Sequence, residues 1–110
     1  MPAVADPLVS VCVITYQQVK WIRRALDSIL SQETDFPFEI VIGEDHSSDG
    51  TREVVLEYAE RHPEIIRVLL RSREDVAVVD GKITANANLG ATIEASRGQY
   101  LAILEGDDHW

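Results

Sequence analysis

Leu8–Ile14 reads LVSVCVI, a nearly continuous run of β-branched and other apolar side chains. Such a run is typical of a strand covered on both faces, as in a parallel sheet, because a strand with one wet face would alternate with polar residues. Three further apolar runs follow it at Phe38–Gly43 (FEIVIG), Ile65–Leu70 (IIRVLL) and Tyr100–Leu104 (YLAIL). The sequence therefore predicts four strands.

Helical periodicity fills the intervals between these strands. The predicted helices are Val19–Leu30, Thr51–Arg61 and Ala85–Ser96. In the last of them we expect Leu89 and Ile93 to face inward, and we expect residues 71–82 to form a loop. Strands that alternate with helices predict a parallel sheet with right-handed crossovers. The predicted fold class is therefore α/β, with four strands and three helices.

Composition and charge limit the classes of function. The chain has 110 residues, of which 45% are hydrophobic and 26% charged, as in an ordinary folded domain. Its formal net charge of −9 argues against a nucleic-acid backbone as partner and against an anionic membrane surface. If an acidic protein of this kind binds a phosphate-bearing ligand, a divalent cation is the natural bridge between them.

Targeting signals and cysteines narrow the class of protein further. Cys12 is the single cysteine, so the sequence holds no disulfide framework and no cysteine-based zinc site. Residues 1–7 lack the features of a signal peptide and are predicted to be a disordered leader, and no apolar run approaches a membrane span. We therefore expect a cytoplasmic protein without a transmembrane segment, at most peripheral at the inner face of the membrane. Because the chain ends six residues after its fourth strand, residues 1–110 are predicted to be the first half of a larger domain.

Polar residues directly follow three of the predicted strands. The first strand leads into Thr15 and Tyr16, the second into Glu44 and Asp45, and the fourth into Glu105–Asp108 (EGDD). In open parallel α/β sheets, ligands bind outside the carboxyl ends of the strands. We therefore expect these three groups to share one edge of the sheet and to form a ligand site there.

The acidic run Glu105–Asp108 indicates a metal site. Neighbouring carboxylates on one turn repel each other unless a cation lies between them, and oxygen ligands suit Mg²⁺ or Mn²⁺. The alternative is a solvated acidic turn without a ligand, since surface Asp-Asp pairs are common. The position of the run directly after a strand favours the metal site.

Other candidate residues each allow a structural and a functional interpretation. Thr15 and Tyr16 are either ordinary turn residues or ligand contacts, with the Tyr16 ring stacked on a nucleobase. Asn88 is either a solvated helix residue or a hydrogen-bond partner of the loop beneath the site. Asp49 suits the cap of the helix that follows it, whereas Asp45, directly at a strand end, has no such simple explanation.

Taken in order, the segments VSVCVITYQQ, FEIVIGEDHSSDGT and NANLGATIEASRGQYLAILEGDD resemble the N-terminal half of inverting family 2 glycosyltransferases, over about Leu8–Trp110. This resemblance implies the GT-A fold, a Rossmann-like parallel sheet with helices on both faces. Two positions depart from the family pattern. The first strand ends in Ile14-Thr15-Tyr16-Gln17 where the family has a Pro-Thr-Tyr-Asn-like turn, and Glu105 replaces the more usual first Asp of the acidic motif.

The resemblance also implies roles for individual residues. Nucleotide binding falls to Thr15, Tyr16, Asp45, Asn88 and Asp107, and metal binding falls to Glu105, Asp107 and Asp108. Asp45 matches the Asp that contacts the nucleobase, and the acidic motif binds the ribose and a divalent metal, Mn²⁺ or Mg²⁺, on the diphosphate. The general base that deprotonates the acceptor is expected beyond Trp110, so no catalytic residue is assigned.

The implied reaction is the metal-dependent transfer of a sugar, with inversion, from a nucleotide-diphosphate sugar to an acceptor hydroxyl. A UDP-sugar is favoured as donor, a carbohydrate or lipid-linked molecule as acceptor, and cell-surface polysaccharide biosynthesis as the setting. Two alternatives remain open. One is a nucleotidyltransferase of related topology, although the Gly-rich basic signature of that class is missing after the first strand. The other is a non-catalytic nucleotide-binding or scaffold module, and an uncovered sheet edge would also allow pairing into a homodimer.

Overall fold

The computed structural model describes residues 6–72, 77–79, 82–84 and 86–110. Within these residues the strands are β1 (Val9–Thr15), β2 (Phe38–Glu44), β3 (Ile66–Leu70), β4 (Ala77–Val79), β5 (Lys82–Thr84) and β6 (Tyr100–Glu105). The helices are α1 (Ile22–Leu30), α2 (Thr51–Arg61) and α3 (Asn86–Ala95). Four strands form one parallel sheet in the order β3-β2-β1-β6, and β4 and β5 form a separate antiparallel pair. The predicted α/β class and parallel sheet are confirmed.

Strand β1 lies inside the sheet, and its pairing register aligns the ends of its two neighbouring strands. It pairs with β2 on one side and with β6 on the other. From its second residue onward every residue of β1 is buried, as its uninterrupted apolar run predicts. The register aligns Thr15 with Glu44 and Ile14 with Glu105, so the carboxyl ends of three strands lie side by side.

Helices α1 and α2 cover one face of the sheet and form the main core there. The core residues of these helices and of the strands beneath them include Ile22, Leu26, Ile29, Val54, Val55, Val11, Val13, Ile40 and Ile42. Each fully buried side chain of this size contributes about 1.5–3 kcal/mol relative to an exposed one. The two helices are also joined to each other, because the Tyr58 hydroxyl donates a hydrogen bond to Asp27 Oδ1 at 2.6 Å.

Helix α3 covers the opposite face, so helices lie on both faces of the sheet, as predicted. Its most buried side chains are Asn88 and Thr92, at 2% and 0% exposure, whereas the expected inward pair, Leu89 and Ile93, is only half-buried. The reason is close packing on Gly43 of β2. A Cβ atom at Gly43 would lie 2.2 Å from Thr92 Oγ1 and 2.3 Å from Asn88 Oδ1. The bare backbone of Gly43 therefore selects small polar side chains on the facing helix.

A buried carboxylate, Glu39, holds together the amino-terminal end of the sheet. It accepts hydrogen bonds from the Ser10 hydroxyl at 2.6 Å and from the Arg97 backbone N–H at 2.8 Å, and it pairs with the Arg67 guanidinium at 3.0 Å. Burial raises the pKa of the Glu39 carboxyl, but the bonds from Ser10 and Arg97 and the charge of Arg67 outweigh it and hold the pKa below its ordinary value. This network anchors the turn between α3 and β6 to the sheet.

Most predicted bounds shift by one residue at an end, and two differences from the sequence prediction are larger. Helix α1 begins at Ile22 rather than at Val19, because Gln17 has a φ of 53° and the Gln18 carbonyl first accepts the N–H groups of a turn. The loop predicted for residues 71–82 was wrong in part, because Ala77–Val79 forms strand β4 and strand β5 begins at residue 82. The second error arises because strands of three residues leave no long periodic pattern.

The chain ahead of β1 is attached to the sheet from Leu8 onward. The Leu8 N–H donates to the Pro37 carbonyl at 2.9 Å, and the Leu8 carbonyl accepts from the Tyr100 N–H at 3.0 Å. Residues 1–5 of the expected disordered leader lie outside the described residues, so that leader stays a prediction. Among the described helices, none is both long and apolar enough to cross a membrane.

Candidate functional site

A pocket of about 130 Å³ opens at the carboxyl edge of the parallel sheet, where β1, β2 and β6 end side by side. Its lining residues are Ile14, Thr15, Tyr16, Gln18, Asp45, Asn88 and Glu105. Four of the five residues expected to bind a nucleotide and one of the three expected to bind a metal therefore share one cavity. This is the convergence that parallel strand ends predict.

Thr15 and Tyr16 form the wall that follows β1. Thr15 is 2% exposed, and its hydroxyl donates to Gln18 Oε1 at 2.8 Å, which orders the start of the loop. The Thr15 carbonyl accepts the backbone N–H of Asp45 at 3.0 Å, which ties the ends of β1 and β2 together. Tyr16 is 40% exposed, so its ring is an accessible surface at the rim of the pocket.

The loop after β2 holds the loop after β1 in place. Ser47 Oγ accepts the Gln17 N–H at 2.9 Å, and Thr51 Oγ1 accepts the Gln18 N–H at 2.9 Å. Asp49 accepts the Thr51 N–H at 3.0 Å from just before the helix, whereas the N-cap position predicted for it is occupied by Gly50. Burial raises the pKa of Asp49, but the hydrogen bonds that it accepts from the Thr51 hydroxyl, the Thr51 N–H and the Val19 N–H outweigh burial, so the pKa lies below its ordinary value.

Asp45 is buried at the pocket and paired with an arginine that the sequence prediction missed. Its Oδ1 atom accepts a hydrogen bond from Arg71 Nε at 3.1 Å. Asp45 is 2% exposed, so this pairing fixes the carboxylate in a site with little water. Arg71 directly follows β3, and this position after a strand end is the sequence signal that points to it.

Asn88 reaches the site from helix α3. Its amide Nδ2 donates to the Gly43 carbonyl at 2.8 Å, so Asn88 is not a solvated helix residue, and its partner is strand β2 rather than the expected loop. Its Oδ1 atom is the one buried side-chain polar atom of the described residues that has no hydrogen-bond partner. A buried acceptor without a partner is costly, and this one is packed against Gly43, where a Cβ atom would lie 2.3 Å from it.

Gly106 brings the acidic run against the rest of the site. Its N–H donates to the Ile14 carbonyl at 2.9 Å, which extends the pairing of β6 with β1 by one residue. A Cβ atom here would lie 2.4 Å from Gln18 Oε1 and 2.6 Å from Thr15 Oγ1. Glycine is therefore required between the acidic residues, because no side chain fits against the loop after β1.

Glu105, Asp107 and Asp108 form an exposed acidic group beside the pocket. One carboxylate oxygen of each lies within 4.8 Å of the other two, and the Asp108 N–H donates to the Glu105 carbonyl at 2.9 Å to close the turn. Glu105 lines the pocket, whereas Asp107 and Asp108 lie outside its wall. Three carboxylate oxygens at this spacing fit a hard divalent cation such as Mg²⁺ or Mn²⁺, which would keep water on its other positions.

Comparison with known proteins identifies the family. The model of the family described as glycosyl transferase family 2 matches residues 10–110. The chain belongs to this family, which defines the protein as an α/β domain of the GT-A type. An uncharacterised protein of Mycobacterium tuberculosis (strain H37Rv) is 41% identical over 92% of this chain. A Bacillus subtilis (strain 168) protein named as a teichuronic acid biosynthesis glycosyltransferase, TuaG, is 32% identical over 94% of it.

Solved structures show the same fold. The mannosyltransferase PcManGT from Pyrobaculum calidifontis, in complex with GDP-Man and Mn²⁺, matches 100% of this chain with a TM-score of 0.73 and 30% identity. TarS 1-349 from S. aureus, in complex with UDP-GlcNAc, matches 92% with a TM-score of 0.71 and 26% identity. The chain spans only part of these proteins, 30% of the mannosyltransferase and 27% of TarS, and likewise 27% of the mycobacterial relative and 37% of TuaG.

Proposed function

We propose that this chain binds the nucleotide-diphosphate sugar donor of a glycosyltransferase that transfers the sugar to an acceptor hydroxyl with inversion. The observation that supports this most directly is the pocket at the carboxyl edge, which gathers Thr15, Tyr16, Asp45, Asn88 and Glu105 from four different elements. Family membership supports the reaction class. The complexes of the structural neighbours with GDP-Man and with UDP-GlcNAc support a nucleotide sugar as ligand.

The nucleobase end of the proposed ligand lies at Asp45 and Tyr16. A buried carboxylate accepts an N–H of a base, and its pairing with Arg71 fixes the direction in which it accepts. The Tyr16 ring, exposed at the rim, offers a stacking surface for the base. Asn88 lines the same pocket and offers a polar side chain to the nucleoside. A UDP-sugar remains the favoured donor.

The phosphate end of the proposed ligand lies at Glu105, Asp107 and Asp108, with Asp107 also contacting the nucleotide. These residues would hold a divalent cation, Mn²⁺ or Mg²⁺, whose chemistry there is to neutralise the charge that builds on the leaving diphosphate. The protein is acidic overall, with a formal net charge of −9, so a diphosphate needs such a bridge to approach. The proposed acceptor is a carbohydrate or lipid-linked hydroxyl of cell-surface polysaccharide biosynthesis, and no residue of the chain is assigned as its general base.

The test is calorimetric titration of UDP, and then of GDP, into the protein with Mn²⁺ and again with EDTA. We expect binding with Mn²⁺ and its loss with EDTA. Asp108→Asn should weaken binding at least about tenfold, because even outer-shell partners of a bound metal typically cost that much. Asp35→Asn removes a similarly exposed aspartate in the loop that leads into β2, away from the pocket, and should leave affinity unchanged. Equal affinity with Mn²⁺ and with EDTA would contradict the metal-bridged site, and no binding of either nucleotide would contradict the proposed function.

We also propose that two copies of the chain pair through the open edge of β6. Within the part of the chain that the structure describes, strand β6 pairs with β1 and with no further strand. Its residues Tyr100, Leu101 and Ile103 are 63%, 46% and 50% exposed. An apolar strand edge of this kind favours pairing with another strand.

A further inference from the structure

We propose that Glu44 and Arg52 are positioning residues that hold Asp45 and Arg71 in the geometry needed to read the nucleobase. This inference rests on the proposed function and adds to it a structural basis for selecting one nucleobase over another. Neither Glu44 nor Arg52 lines the pocket. The Arg52 side chain and the Glu44 carbonyl bond the backbone of Arg71, and the Glu44 side chain bonds the Ser47 N–H at the far end of the turn that contains Asp45.

Glu44 is a fully buried carboxylate at the end of β2, and both of its oxygens are used. Oε2 accepts a hydrogen bond from Arg52 Nε at 2.6 Å, and Oε1 accepts the backbone N–H of Ser47 at 2.9 Å. Between Glu44 and Ser47 the chain passes through Asp45 and His46, and His46 has a φ of 63°, in the left-handed region that non-glycine residues rarely adopt. The bond to Ser47 therefore closes a strained turn around Asp45 and fixes its backbone.

Arg52 also holds the backbone of Arg71 in place. From the first turn of α2 it pairs with Glu44 through Nε and donates through a terminal guanidinium nitrogen to the Arg71 carbonyl at 2.5 Å. The Arg71 N–H donates to the Glu44 carbonyl at 2.9 Å, so both backbone polar groups of Arg71 are held. The planar guanidinium of arginine suits such a two-partner contact, whereas a lysine ammonium does not.

The contacts form a closed circuit around the base-reading pair. It runs from the Glu44 side chain to Arg52, from Arg52 to the Arg71 backbone, and from the Arg71 side chain to Asp45, which is the next residue after Glu44. Arg71 directly follows β3, which among the described strands pairs with β2 alone and so lacks the restraint of a second one. The circuit supplies that missing restraint, and it joins β2, α2 and the end of β3 at one corner of the pocket.

Glu39 provides a matched control on the same strand. It is also a buried carboxylate paired with arginine, with Arg67 at 3.0 Å and Arg97 at 3.3 Å, but it lies at the opposite end of β2, away from the pocket. Loss of the charge at either position should lower stability. Only the loss at Glu44 should change how the site distinguishes one base from another.

The experiment measures the affinities of UDP and GDP, with Mn²⁺ present, for the wild type, Glu44→Gln and Glu39→Gln. Glutamine keeps the size of the side chain and can still accept from Ser47, but it lacks the charge that holds Arg52. We expect Glu44→Gln to weaken the preferred nucleotide about tenfold, the usual scale for losing one charge-assisted hydrogen bond, and to bring the ratio of the two affinities toward one. Glu39→Gln should lower the melting temperature and leave the ratio at its wild-type value.

Arg52→Gln tests the same circuit from the other side and remains usable if Glu44→Gln does not fold. The Arg52 side chain is 26% exposed, so its loss does not leave a fully buried cavity. We expect Arg52→Gln to reduce the UDP-to-GDP affinity ratio as Glu44→Gln does, and the double variant to add little, because the two residues act as one unit.

The outcomes separate this inference from the proposed function. An unchanged UDP-to-GDP ratio in the variants, or an equal weakening of both nucleotides, would overturn the positioning role while the nucleotide site stands. A wild type that binds both nucleotides equally would overturn the base-reading pair itself. A wild type that binds neither would overturn the proposed function, and the positioning role with it.

Discussion

Gly43 shows how the absence of one side chain connects the fold to the site. It lies on β2 under helix α3, and its carbonyl accepts the Asn88 amide at 2.8 Å. In Gly43→Ala, the new Cβ would overlap Thr92 Oγ1 at 2.2 Å and Asn88 Oδ1 at 2.3 Å. We expect a loss of about 1–3 kcal/mol in the free energy of unfolding, the usual cost of overpacking, and weaker UDP binding because Asn88 is displaced.

Gly90 on the same helix is the control for this prediction. A Cβ atom there meets nothing within 4 Å, and the residue is exposed. Alanine is a better helix former than glycine, so Gly90→Ala should raise the free energy of unfolding by about 0.5–1 kcal/mol. Denaturant titration of the two variants measures both values. Two changes of the same sign would show that α3 does not pack on Gly43 as described.

At the level of single residues, the sequence indicated which strand ends form the pocket but not how their side chains pair. Thr15, Asp45 and Glu105 were predictable because parallel strands bring their carboxyl ends to one edge. Arg71 was missed, as was the role of Arg52, because a contact between two side chains that are remote in sequence leaves no periodic pattern. The position of a residue along a strand predicts at which edge of the sheet it lies, but it does not predict which side chain it contacts.

Among the elements, the buried network around Glu39 makes the amino-terminal end of the sheet sensitive to acid. The pKa of Glu39 is lowered in the folded protein, so the carboxylate stabilises the fold above its unfolded pKa, near 4.5. That contribution is lost as the pH falls through the folded pKa, which lies below this value. We expect the wild type to lose stability in this acidic window through Glu39, in addition to the loss from its other carboxylates.

Comparison with Glu39→Gln isolates this contribution. At pH 7 we expect the variant to be about 2 kcal/mol less stable, the scale of a hydrogen bond to a charged group. The difference in the free energy of unfolding between the two proteins should shrink as the pH falls below 4.5, since the wild type then protonates the same group. Denaturant titrations at a series of pH values measure it, and a difference that is constant with pH would exclude Glu39 as the titrating group.

The elements themselves were predictable in proportion to their length. The bounds of α2, Thr51–Arg61, were predicted without error, because its apolar positions repeat over three turns before Pro63. Strands β4 and β5 were missed because each has only three residues. The sequence does carry a signal for them, since Asp80-Gly81 follows the apolar run Val76–Val79 and this dipeptide is typical of a hairpin turn.

At the scale of the whole molecule, the sheet is covered unevenly. Among the described residues, α3 packs on β1 and β2 and α2 packs on β2 and β3, whereas β6 pairs with β1 alone and has Leu101 and Ile103 about half exposed. An edge strand with apolar side chains and no neighbour is a template for pairing with a second strand. The acidic net charge of −9 opposes association, so the expected dimer is weak and depends on concentration and salt.

Analytical ultracentrifugation over a range of protein concentrations tests this pairing. We expect the fraction of dimer to rise with concentration and with added salt in the wild type, because salt screens the repulsion between two acidic copies. Ile103→Lys places a charge on the open edge of β6 and should abolish the dimer. Leu56→Lys changes a residue of similar exposure, 42% against 50%, on the outer surface of α2 and should leave it intact. If the wild type stays monomeric at every concentration, or if both variants behave alike, the contact between copies is not made through β6.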